Sequence, residues 1–171
     1  MRRIKHGLLV IWGMASVLVF AAHCAPVIAP EVLKNVDQSI SFEQLLKDPE
    51  SYKGRTVLLG GDIIETHNLP EKTRMIVLQR SLGYRKKPDP GSPSKGRFMV
   101  SVPEFLDPDI YRRGRKVTVV GSVAGKEVRP LGEIQYTYPL IEKTELYLWP
   151  TEEPSPTQPS VHFGIGIGIG L

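Results

Sequence analysis

The sequence predicts a mainly β fold, a small closed or partly open barrel entered through one short helix, and three features carry that prediction. From Arg55 onward, apolar and β-branched residues come in short runs that alternate with Gly, Pro, Asn and Asp turn chemistry. Glycines fall inside two of those runs, at Gly60-Gly61 and Gly121, where a strand bends or bulges. Ahead of them lies one segment with a helix-start signature. Short, strongly bent strands close on themselves, and closure removes the unpaired edges through which small sheets aggregate.

The helix comes first. Ser41 can accept from the Gln44 amide while Gln44 reaches back, which makes 41–44 a capping box, and Ile40 and Leu45 stand at hydrophobic-staple spacing. A helix over 42–47 follows, stopped by Asp48-Pro49 because the residue before a proline avoids helical backbone. Strands are expected over 56–66, 73–79, 97–102, 116–124, 133–138 and 140–149. Gly54 and Gly114 each precede an arginine and launch a strand, where a turn calls for left-handed backbone. Residues 81–96 combine Pro88, Pro90 and Pro93 with Arg85, Lys86, Lys87 and Lys95, and read as a long basic loop. Tyr136, Tyr138 and Trp149 read as half-buried strand aromatics. Together these elements describe an OB-like barrel.

With 171 residues, one folded domain is expected, over 40–150. A single cysteine excludes an internal disulfide framework, a zinc ribbon, a CxxC redox centre and an iron–sulfur cluster. Histidines at 6, 23, 67 and 162 are scattered, so no metal and no cofactor is expected. The net charge of +4 invites nucleic acid as a partner. Taking Arg2, Arg3 and Lys5 from the 22 bases leaves 19 against 18 acids, a net of +1, so most of the excess belongs to the amino terminus.

That terminus reads as an address. A basic 1–5 precedes 16 uncharged residues, 7–22, fewer than the roughly 20 a membrane-spanning helix needs. Phe20-Ala21-Ala22-His23-Cys24-Ala25 then resembles a lipobox, with His23 where Gly, Ala or Ser is usual. A lipobox implies diacylglycerol in thioether linkage to Cys24, cleavage before it and acylation of the new amino group; two or more chains make such an anchor durable. The same stretch also reads as a general secretory signal cut after Ala21, with Cys24 an ordinary thiol. Ala25, with no Asp after the cysteine, resembles the sorting pattern of outer-membrane lipoproteins. The expected organisation is a signal peptide over 1–23, a lipidated tether over 24–39, the barrel domain over 40–150 and a Pro-rich, Gly-Ile tail over 151–171. Within the tail, 161–171 puts Val, Phe, Ile and Leu on one side of an extended strand, a candidate for pairing with an envelope protein or with copies of itself; a flexible tail is the other reading.

Several short motifs recur in order: Tyr52-x-Gly54-Arg55-x-Val57 with Gly60-Gly61; Gly96-Arg97-Phe98; Phe105-Leu106-Asp107-Pro108; Tyr111 with Gly114-Arg115-x-Val117-Thr118-Val119-x-Gly121; and Gly132-Glu133 through Tyr136-x-Tyr138-Pro139 to Leu148-Trp149. In this order and spacing the chain resembles the Slp family of outer-membrane lipoproteins. The resemblance implies a Gram-negative envelope lipoprotein held in the outer membrane and facing the periplasm, and it brings no catalytic residues with it.

The residues themselves offer little catalytic chemistry. Nucleophilic hydrolysis needs a Ser or Cys beside a positioned His and a carboxylate. Beyond the leader only His67, in the 66–70 turn, and His162, in the tail, remain. Asp107 with Asp109 and Glu152 with Glu153 read as solvated acids; Asp62, next to the double glycine, needs an Arg or amide partner if it points inward. The electrostatic feature that outlasts the leader is a stretch from Arg74 to Lys116 with eleven bases against four acids. Within it Arg85, Lys86, Lys87, Lys95 and Arg97 are candidate anion-binding residues for an anionic glycan or lipid, with a solvated face as the plain alternative. Nucleic acid is not expected to reach an exported protein. The reading is therefore a non-enzymatic, lipid-anchored envelope protein with a structural or interaction role, an envelope hydrolase being the remote rival.

Overall fold

The computed structural model describes residues 26–151; the leader, Cys24 and the 161–171 strand lie outside them. Two helices, α1 (Pro30–Leu33) and α2 (Phe42–Lys47), and a 3-10 turn at Pro49–Tyr52 precede five strands: β1 (Thr56–Leu69), β2 (Lys72–Gln79), β3 (Arg97–Val102), β4 (Lys116–Leu131) and β5 (Ile134–Leu148). Helix α2 starts as its sequence requires, for the Gln44 amide donates to Ser41 Oγ at 3.2 Å and the Ser41 amide donates to Gln44 Oε1 at 2.9 Å.

The strands form a closed barrel in the order β1-β2-β3-β5-β4, antiparallel except where β3 runs parallel to β5. Closure rests on β1, a long bent strand that pairs with β4 over 56–62 and with β2 over 61–69. Gly61 belongs to both ladders, and a Cβ there would stand 1.9 Å from the Leu78 carbonyl oxygen, so no side chain fits. The bulge of β1 comes just beyond, between Ile63 and Glu65. Gly54 and Gly114 take the expected left-handed turns, φ 81° and 84°.

Alternation divides the apolar residues into two layers. Met75, Val77, Phe98 and Val100 point into the barrel, and α2 plugs one end with buried Leu45 and with Phe42, whose ring meets Phe98 edge-on at 6.0 Å. Their neighbours Ile76 and Met99 point outward, yet they are buried too, under Tyr136, Tyr138 and Leu140. That cover is a ribbon, 125–131 paired with 134–140, in which β4 and β5 run on beyond the barrel. The outer face of the second and third strands is where OB-type barrels take oligonucleotides and oligosaccharides. Here the chain's own ribbon lies on it.

The ribbon corrects the strand assignment at one point. The separate strands expected over 133–138 and 140–149 are one strand, β5, continuous through Pro139. Proline is tolerated in sheets at edges and bulges, and the register shift between Val123 and Gly125 stands opposite Ile141 and Leu140, next to Pro139, which pairs with Lys126.

Candidate functional site

The stretch ahead of the barrel is fastened to its wall. Ile28 is 1% exposed, the Ala29 amide donates to both Glu145 carboxylate oxygens at 3.1 Å, and the Asp37 amide donates to the Thr56 carbonyl at 2.8 Å. Asp37 is held in turn by the Ser39 hydroxyl at 2.6 Å, the Ser39 amide at 3.0 Å and the Arg55 guanidinium. A segment whose composition suits a tether therefore continues the fold. Its partners lie far along the chain, beyond the reach of local pattern.

These contacts predict a pH response. The Ser39 hydroxyl and amide, then Arg55, lower the Asp37 pKa from 3.8 to about 2. A carboxyl depressed on folding stabilises the docked segment fully above pH 4 and loses that effect as the pH falls through about 2. Amide-exchange protection across 28–36 is expected to fall in that window, and Asp37→Asn to remove the pH dependence. Protection flat through the window would show that Asp37 does not hold the segment.

The basic loop is fastened as firmly. Leu82 bridges Pro88, the Gly83 amide donates to the Lys87 carbonyl at 2.8 Å, and the Thr118 hydroxyl donates to the Lys86 carbonyl at 2.7 Å. Between these ties a tight turn, Tyr84–Lys86, puts Arg85 and Lys86 in left-handed backbone, φ 54° and 62°, uncommon for residues with side chains. The turn faces the N-terminal segment across two neighbouring cavities. One, of about 350 Å³, lies between residues 26–28 with Leu33 and the Tyr84, Arg85 and Lys86 tip. The other, of about 270 Å³, continues it past Leu33 and Lys86 towards Asp37 and Val57.

The structure separates the five predicted basic residues. Arg85 and Lys86 share the larger cavity. Lys87 sends its ammonium over the Trp149 ring, 5.6 Å from the centroid. Lys95 pairs with Glu43 on α2, and that hydrogen bond holds the Glu43 carboxyl below its ordinary range. Arg97 opens β3, its amide donating to the Tyr136 hydroxyl at 2.9 Å. What sequence reasoning missed is the other wall of the cavity, supplied by 26–28 and Leu33; the apolar character of Val27 and Ile28 was the available signal.

Other polar side chains serve the fold. Asp62 is tied to Arg80 at 2.8 Å, whose guanidinium also donates to the Ser92 carbonyl at 2.7 Å and so fixes the far end of the basic loop. His67 is exposed and meets Glu65 at 2.8 Å. Among the described residues, no three His, Cys, Asp or Glu side chains gather as a metal site, and no helix is long and apolar enough to cross a membrane.

Fold and surface define a small barrel module, its ligand-type face covered by its own ribbon and its N-terminal segment leaving the wall beside a basic turn. The sequence profile of the Outer membrane lipoprotein Slp family matches residues 21–165, and the chain belongs to that family. An uncharacterized lipoprotein of Escherichia coli (strain K12), YeaY, is 30% identical over 132 residues, 74% of this chain and 68% of its own. An uncharacterized protein of Haemophilus influenzae (strain ATCC 51907 / DSM 11121 / KW20 / Rd) is 33% identical over 96 residues, 56% of this chain and 52% of its own. The protein is an outer-membrane lipoprotein of the cell envelope.

Proposed function

We propose that the chain is anchored by diacylglycerol and an N-acyl chain on Cys24, faces the periplasm, and serves a structural or interaction role without catalysis. The observation that carries this reading is the family match, which begins at residue 21 and so takes in Cys24 together with the barrel. The N-terminal segment supports it, because a module fastened from Ile28 onward would be held close to any lipid placed four residues earlier. Against the hydrolase alternative, Asp62 and Glu43 are engaged in ion pairs and His67 stands exposed beside Glu65. The Arg85 and Lys86 cavity favours the related reading in which an anionic group is bound on the same side of the barrel.

The test is the intact mass of the mature protein from membranes, wild type beside Cys24→Ser. A chain starting at Cys24 with the added mass of acyl groups is expected, lost in the variant together with membrane retention. An unmodified chain starting elsewhere, at Ala22 for instance, would overturn the anchor and show that His23 had diverted the chain to general secretion.

A further inference from the structure

We infer that the Tyr84–Lys86 turn and the adjoining residues 26–28 form the surface with which the barrel lies on its membrane, and that the cavity between them receives phosphate-bearing lipid headgroups. This rests on the anchor at Cys24 proposed above.

Four observations lead to it. The described chain starts at Pro26, two residues after Cys24, and two residues span at most about 7 Å, so an acylated Cys24 brings the leaflet to the cavity mouth. The segment is fixed to the wall through Ile28, Ala29 and Asp37, so the anchor sets which side of the barrel meets the lipid. That side carries the chemistry of a headgroup layer. Tyr84 is 85% exposed, an aromatic ring with a polar tip of the kind that settles at the membrane–water interface. Lys86 is exposed and pairs with no carboxylate among the described residues, and Arg85 is exposed beside it, which puts two basic side chains on the side the anchor would set against lipid phosphate. Finally, charge on the cavities themselves favours an anion: among the described residues the one carboxylate lining either of them, Asp37, is already held by Ser39 and Arg55.

The tight turn explains how the tip is presented. Left-handed backbone at two successive residues would relax if free, but the Thr118 hydroxyl and the Gly83 amide hold it from behind. The barrel thus offers a preformed contact, with little ordering left to do on binding.

The full protein, purified from membranes, is reconstituted in vesicles of neutral phosphatidylcholine and in vesicles with a third of anionic phosphatidylglycerol, and amide exchange is followed by mass spectrometry. On anionic vesicles residues 83–87 are expected to exchange about thirtyfold more slowly than on neutral ones, the size of effect two basic side chains supply at an anionic surface. One molar salt is expected to remove the difference, as is Arg85→Ala with Lys86→Ala, while the 125–140 ribbon is unaffected. Tyr84→Ser, a surface change that leaves the fold intact, is expected to reduce it. Equal exchange at 83–87 on both vesicles would overturn the inference, as would equal protection over the ribbon. Protection reproduced by inorganic phosphate on neutral vesicles would mark a free-anion site and overturn the membrane contact. The mass of the same sample separates the two levels: an acylated chain without protection leaves the anchor standing and removes the docking, whereas an unacylated chain removes both.

Discussion

Gly61→Ala is expected to abolish the folded barrel. The added methyl would stand 1.9 Å from the Leu78 carbonyl oxygen and 2.7 Å from its carbon, both backbone atoms, so no side-chain rotation relieves the collision. Nor can β1 move aside, because Gly61 pairs with Gln79 of β2 and with Val117 of β4, and withdrawal from one ladder drives it into the other. Overpacking that side chains can absorb costs about 1–3 kcal/mol, and a backbone collision at the closure point exceeds that. Against a total stability of about 5–15 kcal/mol, the loss removes most or all of the cooperative unfolding transition. Urea denaturation followed by tryptophan fluorescence reads it, since Trp149 is nearly buried. Gly54→Ala is the contrast: nothing lies within 4 Å of its Cβ, and only the left-handed backbone is strained, at about 1–2 kcal/mol. A Gly61→Ala protein as stable as Gly54→Ala would show that β1 and β2 are not in the contact described.

That glycine also marks where sequence reasoning reached its limit. A double glycine inside a strand pattern announced a bend, and the bend is there; which neighbour forbids a side chain depends on a carbonyl 17 residues away. The α2 capping box was legible because both its bonds span three residues. Strand β3 was legible at both ends because its apolar run, 98–102 broken only by Ser101, is bounded by Gly96 and Pro103. Pro139 misled because proline carries the same local signal at a turn as at a bulge, and only pairing with β4 tells them apart. Residues 26–39 misled for the same reason. Their two prolines and single alanine lack periodicity, while Glu145 on β5 and Arg55 just ahead of β1, which hold them down, lie outside the segment. As for the basic residues, adjacency in sequence located the turn that carries Arg85 and Lys86 but not the divergence of Lys87 to Trp149 or of Lys95 to Glu43. Charge composition reports how many cations a loop holds; backbone direction and carboxylate neighbours decide where they point.

Thr118→Val is expected to loosen both the barrel and the surface it presents. Thr118 is fully buried, and its hydroxyl accepts from the Trp149 indole N–H at 2.9 Å while donating to the Lys86 carbonyl at 2.7 Å. Valine keeps the shape and removes both bonds, leaving an indole donor and a carbonyl without partners. At about 1–3 kcal/mol for the indole donor stranded away from water and about 1 kcal/mol for the part-buried bond to the Lys86 carbonyl, the expected loss is about 2–4 kcal/mol. The loss is not evenly spread. The Lys86 bond is the tie between the barrel wall and the two successive residues in left-handed backbone, so exchange at 83–87 should rise more than exchange in β1 or β4, whose ladders are untouched. Thr118→Ser retains the hydroxyl and gives up one methyl, a cost of about 1 kcal/mol that leaves the turn in place. The comparison isolates the hydrogen bonds from the packing. If valine and serine lowered the urea midpoint equally and left exchange at 83–87 alike, the hydroxyl would not be what holds the turn. If they differ as expected, one buried threonine links the folded interior to the outward placement of Tyr84, Arg85 and Lys86. A variant that keeps its anchor and its fold would then still lose the orientation with which it meets the membrane.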